Sequence, residues 1–165
     1  MPDQVVIILG SRSDLTKLEE SNALNILREV GISYKVSILS AHRNPVDLMS
    51  YSQRKDREGT LVFIGAASMN AALPGVIAAH IPHKPVIGVP LASEGFPNAL
   101  DATLAMTRMP PGKPVLVCPG FQNAAISACQ IIGLFDQTVS KKLQVYLTEN
   151  QKKPEMDILS SQEEQ

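Results

Sequence analysis

A histidine and an arginine stand side by side in the segment Ser40-Ala41-His42-Arg43-Asn44-Pro45. An imidazole exchanges protons near neutral pH, and a guanidinium holds phosphate or carboxylate through two parallel hydrogen bonds. Upstream lies Gly10-Ser11-Arg12-Ser13-Asp14. A glycine there permits a sharp exit from a strand, and small hydroxyl residues let the backbone approach a ligand. A helix beginning at that point offers unpaired N–H groups and a partial positive charge to an anion. Phosphate is the natural occupant. The loop is neither G-x-G-x-x-G nor a Walker loop, so it specifies neither a dinucleotide nor ATP. Taken alone, these residues leave alternatives open: Ser13 or Asp14 can simply cap a helix, and a lone histidine is more often structural than catalytic.

A third stretch, GAASMNAALPG from Gly65 to Gly75, is small and uncharged. It would let a planar ligand lie against backbone, with Ser68 or Asn70 donating to that ligand or capping the next helix; close helix packing explains it equally well. PLASEGFP, Pro90 to Pro97, reads as a mobile cover, and Arg108 could reach a carboxylate or remain solvated. His80 and His83 precede a strand, so they are expected at the opposite end of the sheet and are discounted as catalysts. Neither a metal-ligand cluster nor a hydrolytic triad declares itself, and no metal is expected. Cys118 and Cys129 fit buried free thiols.

The elements that must position these residues are five short apolar runs: Val5 to Leu9, Tyr34 to Leu39, Leu61 to Ile64, Pro85 to Val89 and Pro114 to Cys118. Between them, apolar residues recur at helical spacing, as from Leu15 to Val30 before Gly31. Nearly continuous apolar strands joined by long crossovers predict an α/β fold, a three-layer doubly wound parallel sheet. In such folds ligands bind beyond the carboxyl ends of the strands, which is where the segments above fall. Pro45 is placed to open the helix after the second strand. After the last strand come a helix from Asn123 to Phe135 and a second amphipathic segment from Asp136 to about Asn150. That second segment could pack on its own subunit or reach another. Residues 1–150 are expected to form one domain and 151–165 a polar, frayed tail.

Composition narrows the partners. The 165 residues carry 15 basic and 16 acidic side chains, a formal net charge of -1, which gives no footprint for nucleic acid. There is no stretch of membrane-spanning length and no signal-peptide pattern, so the expectation is a cytoplasmic protein without a membrane partner. With 4% aromatic residues and no tryptophan, little is available to stack on a flavin.

Five motifs in order, GSRSD, SAHRNP, GAASMNAALPG, PVIGVP and RMPPG, resemble the aminoimidazole ribonucleotide (AIR) carboxylase family of purine biosynthesis, over Val5 to Gly133. The resemblance implies a flavodoxin-like domain, a homo-octamer, and no metal or nucleotide cofactor. It also implies formation of carboxyaminoimidazole ribonucleotide (CAIR), with AIR or its N-carboxy form and carbon dioxide as the small-molecule partners. Carried over by motif, Gly10, Ser11, Ser13 and Asp14, then Ser40, Ala41 and Arg43, then Ser68, Asn70 and Leu73 hold the ribonucleotide. His42 carries the proton.

Within that family, mutases move the carboxylate from the exocyclic nitrogen to the ring carbon, and a second class takes carbon dioxide directly. The third motif departs from the mutase form GAGGAAHLPG: Ala72 stands where mutases carry a second histidine, and Ser68 and Asn70 replace a glycine and an alanine. SAHRNP and LPG follow the mutase form. VLVCPGFQNAAISACQIIGLF resembles the C-terminal half of the direct carboxylases. The mutase reaction is the expectation, direct carboxylation the alternative. An inactive ribonucleotide-binding or assembly paralogue is a further one.

Overall fold

The computed structural model describes residues 2–150, so the expected tail at 151–165 lies outside the described residues. Five strands, β1 (Val5–Leu9), β2 (Tyr34–Ile38), β3 (Val62–Ala67), β4 (Val86–Pro90) and β5 (Leu116–Val117), form one sheet in the order β2-β1-β3-β4-β5. Every pairing is parallel. The helices are α1 (Ser13–Glu20), α2 (Ala23–Val30), α3 (Pro45–Arg57), α4 (Leu73–His80), α5 (Leu100–Thr107), α6 (Phe121–Gly133) and α7 (Gln137–Glu149). This is the doubly wound arrangement expected from the apolar runs, and the strand order reverses between β1 and β3.

The continuous apolar character of β1, β3 and β4 follows from burial on both faces, since every residue in the three strands is buried. Alternate side chains feed two cores. Val5, Ile7 and Leu9 join Ile64 and Val89 against Ile26 and Leu27 of α2 and Ala128 and Ile132 of α6. Val6, Ile8 and Phe63 face Leu48 of α3, Leu73 and Ile77 of α4 and Met106 of α5.

Several boundaries differ from the sequence expectation. The single helical stretch from Leu15 to Val30 is two helices. Ser21 ends the first by donating from N–H and Oγ to the Leu18 carbonyl, at 3.2 and 2.6 Å, and its Oγ accepts from Ala23 N–H at 3.3 Å. A short polar side chain that bonds nearby backbone competes with the helical ladder. The third strand continues past Ile64 through Gly65 and Ala66 to Ala67, because β1 and β4 pair with it on both sides. β5 shrinks to Leu116–Val117, since Pro110, Pro111 and Pro114 have no N–H to offer a ladder. Cys129 is buried as expected, and that apolar setting pushes its thiol up to about 12. Cys118 is only half-buried at this short edge strand.

Helix α7 packs on α6 and α2 of its own chain, with Val139, Leu143 and Tyr146 in the core. Asp136 caps it by accepting from Thr138 and Val139 N–H at 2.9 and 3.2 Å. Tyr146 accepts from Asn22 Nδ2 at 2.7 Å, which ties α7 to the break between α1 and α2. Among the described residues no helix is long and apolar enough to cross a membrane.

Candidate active site

At the carboxyl edge of the sheet the loops after β1, β2 and β3 enclose a cavity of about 400 Å³, beside the switch point between β1 and β3. Gly10, Ser11, Ser13 and Asp14 form one wall, Ser40, Ala41, His42 and Arg43 a second, and Ser68 and Leu73 part of a third. Ten of the eleven site residues expected from the sequence therefore converge. Asn70 does not: it opens onto a neighbouring cavity of about 750 Å³, with Ser93, Glu94, Phe96 and Asp101. The two positions before and after it, Met69 and Ala71, have φ of 59° and 44°, and this doubling of the loop turns Asn70 away from the first cavity.

The first wall is built around Asp14, which is only 3% exposed. Its Oδ2 accepts from both the N–H and the Oγ of Ser11, each at 3.1 Å, and Ser11 Oγ also meets Ser13 Oγ. α1 begins at Ser13, its N-cap is Arg12, and no side chain caps it. Neither Ser13 nor Asp14 is thus a conventional cap. Of the first N–H groups of the helix, those of Asp14 and Leu15 donate to the Ser11 and Arg12 carbonyls at 3.2 and 3.1 Å, while among the described residues that of Ser13 has no acceptor and stays available to an anion. Gly10 was expected to permit a sharp exit, yet it needs no glycine-only conformation, and an added Cβ would meet its neighbours at 3.6 Å or more. The exit is held instead by Gly10 N–H donating to the Ala66 carbonyl at 3.0 Å.

The second wall is a turn closed by Ser40, which is nearly buried. Its Oγ accepts from Arg43 N–H at 3.2 Å and its carbonyl from Asn44 N–H at 2.9 Å. Pro45 then opens α3, as its fixed φ suggests. The turn leaves His42 and Arg43 exposed on the cavity side, and Arg43 Nη2 donates to the Gly10 carbonyl at 3.0 Å. The first two loops are therefore joined across the cavity mouth by the arginine expected to bind the ligand.

The third wall contains residues not named as binders from the sequence: Ala67, Met69, Ala71 and Ala72. Their signal was the run of small residues itself. Met69 was hidden in that run by its size. The left-handed φ at Met69 falls where the mutase form of the motif has its third glycine, so a conformation suited to glycine is kept by a residue that strains in it.

Chemically, the arrangement combines an anion-binding helix start, a buried carboxylate able to accept from sugar hydroxyls, a guanidinium, and an imidazole free to meet a ligand. The residues discounted or left open fall elsewhere. His83 sits by Asp56 at 3.2 Å, and His80 ends α4, both toward the amino edge of the sheet. Arg108 follows α5 and does not line the cavity. The Pro90–Pro97 segment carries a tight turn, with Ser93 and Phe96 exchanging backbone hydrogen bonds, and it walls the neighbouring cavity rather than the first. Among the described residues no group of three or more His, Cys, Asp or Glu is placed to hold a metal ion.

Comparison with known proteins gives the family of the chain. The family model described as AIR carboxylase matches residues 4–153. A protein of Pyrococcus horikoshii named N5-carboxyaminoimidazole ribonucleotide mutase is 39% identical over 153 residues, 92% of this chain and 84% of its own. Relatives of the same name from Methanocaldococcus jannaschii and Bacillus subtilis are 40% and 37% identical, over 90% and 87% of this chain and 91% and 88% of theirs. The crystal structure of Treponema denticola PurE superimposes with a TM-score of 0.77 at 25% identity, covering 88% of this chain and 90% of that one. The chain belongs to the AIR carboxylase family.

Proposed function

We propose that the chain is an N5-carboxyaminoimidazole ribonucleotide mutase acting in purine biosynthesis, with CAIR as its product. The observation that carries this reading is the convergence of His42 and Arg43 with the Ser11–Asp14 helix start in one cavity. The names of its relatives favour the mutase over direct carboxylation of AIR. In this reading the start of α1, with its Ser13 N–H, and Arg43 receive the phosphate and carboxylate of the substrate, and Asp14 accepts from the ribose hydroxyls. Gly10, Ser11, Ser13, Ser40, Ala41, Ser68 and Leu73 shape the remaining wall, and Asn70 acts from the adjoining cavity, behind the third loop.

The isomerisation balances without any added reagent. The exocyclic nitrogen loses its carboxylate as carbon dioxide and gains a proton. The ring carbon attacks that carbon dioxide and must then lose its own proton to restore aromaticity. One imidazole, His42, can give the first proton and take back the second, the two halves of general acid–base catalysis. Arg43 and backbone N–H groups would steady the new carboxylate. Ala72 in place of a second histidine leaves His42 as the one imidazole in the cavity.

Purified protein is the direct test. Conversion of N5-carboxyaminoimidazole ribonucleotide to CAIR is expected, with no CAIR from AIR and bicarbonate alone. Efficient conversion of AIR and bicarbonate without ATP would replace this reading with direct carboxylation. Absence of both activities, with AIR still bound, would favour the inactive paralogue. We place the enzyme in the cytoplasm and as a homo-octamer, which light scattering of the purified protein would test.

A further inference from the structure

Lys17 does not line the cavity, yet its ammonium touches Asp14, which does, and the segment after β4 that walls the neighbouring cavity. Nζ donates to the carbonyl of Ala92 at 3.0 Å and lies 3.7 Å from Asp14 Oδ1. Oδ2 of Asp14 is already engaged by Ser11, and Lys17 is the cation beside the other oxygen, Oδ1. Ala92 follows Leu91, whose N–H donates to the Ala67 carbonyl at the end of β3, and precedes the Ser93–Phe96 turn. Among the described residues, no other hydrogen bond or ion pair joins α1 to residues 91–99.

Charge gives this strut a second role. Of the residues lining the cavity, Asp14 is the acid and Arg43 the fixed cation, so their formal charges cancel. The ribonucleotide proposed above carries both a phosphate and a carboxylate. Interactions between partly buried charges a few ångströms apart are weakly screened, so a neutral cavity would leave Asp14 opposing that ligand. Lys17 offsets it.

Resting on that reading of the cavity, we propose that Lys17 is a positioning residue for the ribonucleotide: it neutralises and orients Asp14 while pinning the loop after β4 to α1. Two variants test this, Lys17→Met and Lys17→Arg, assayed for turnover of N5-carboxyaminoimidazole ribonucleotide and for AIR binding by calorimetry. Lys17→Met is expected to raise KM and the Kd for AIR roughly tenfold, the size of one charge-assisted interaction, with kcat falling less than about threefold. Because the side chain is 43% exposed, its Tm should move by no more than about 3 °C. Lys17→Arg keeps the charge and reaches the same oxygens, so it should bring KM back to within about threefold of wild type. The gap between wild type and Lys17→Met should narrow as salt is raised.

An unchanged KM and Kd in Lys17→Met, or a loss that Lys17→Arg does not recover, would overturn the inference. Wild type that turns over the substrate beside an unaffected Lys17→Met sinks the role of Lys17 alone. Wild type that binds AIR without turnover sinks the mutase reading, while the Kd series still decides Lys17. Wild type that neither binds nor turns over removes both.

Discussion

The guanidinium of Arg43 donates to the main-chain carbonyl of Gly10 at 3.0 Å, so the loop after β2 holds the loop after β1 from across the cavity mouth. The same group is the fixed cation facing the cavity. Arg43→Ala should therefore lower kcat/KM by roughly 10- to 100-fold, the worth of one or two hydrogen bonds to a charged group. Arg43→Lys should recover only part of it, since an ammonium cannot hold the carbonyl and a ligand anion in one fork. The side chain is exposed, so unfolding free energy should change by no more than about 0.5 kcal/mol. Full activity in Arg43→Ala would remove Arg43 from the proposed site.

His42 differs from Arg43 in that its side chain forms no hydrogen bond among the described residues, while it lines the cavity beside Ala41. A proton carrier that meets its partner only in the ligand would be placed this way. His42→Asn keeps a polar side chain of similar reach without a titrating nitrogen. Its kcat should fall about 10²- to 10⁴-fold, the usual contribution of general acid–base catalysis, with AIR binding preserved. Calorimetry with AIR beside steady-state kinetics separates the two effects; retained turnover would refute the proton-carrier role.

Much of this was legible in the sequence because strand ends are punctuated. Val5 to Leu9 is apolar on both faces and is followed at once by polar residues, so its carboxyl end and the loop chemistry could be read together. Pro45 marked the start of α3 in the same way. What was not legible depended on partners distant in the chain. Nothing local to Gly65 or Ala66 shows that β1 and β4 carry the strand on to Ala67. Asn70 looked like a cavity residue because its neighbours are, and only the left-handed turns at Met69 and Ala71 send it to the other side. Lys17 drew no notice in the sequence, because its meaning is set by a carbonyl 75 residues away.

Away from the cavity, Lys55 is nearly buried and donates to Glu58 at 2.7 Å and Asp3 at 2.9 Å. The bond to Glu58, then that to Asp3, raise its amine above the ordinary lysine range against the opposing effect of burial. The bond from Lys55 holds Glu58 below the ordinary carboxylate range. The depressed carboxylate stabilises the fold above its unfolded pKa, and that stability is lost as pH falls through the folded value. The raised amine stabilises below its unfolded pKa, and that is lost as pH rises through the folded value. Lys55→Met should therefore melt lower than wild type near neutrality, with the gap closing as pH falls below the ordinary carboxylate range and as it rises above the ordinary lysine range. A gap independent of pH would mean that packing of the lysine stem, and not charge, is what the variant removes.

Gly65 and Gly88 face each other in register across β3 and β4, and together they form a notch beneath Pro74 at the start of α4. A Cβ on Gly65 would come within 3.2 Å of Pro74 Cα. One on Gly88 would lie 2.8 Å from Val115 Cγ1, 2.9 Å from Met106 Sδ and 3.4 Å from Pro74 Cβ. The notch is what lets α4 settle low enough for Leu73 to reach the cavity. Gly65→Ala should cost about 1 to 3 kcal/mol, because the Pro74 backbone and the β-branched Ile77 around it have little room to yield. It should also raise KM, since lifting Pro74 moves Leu73 and the third loop together. Chemical denaturation reports the first effect and kinetics at a temperature where the variant is fully folded the second. If the variant is destabilised but keeps its KM, α4 is seated by the rest of its apolar face, and the two glycines serve packing without setting the cavity.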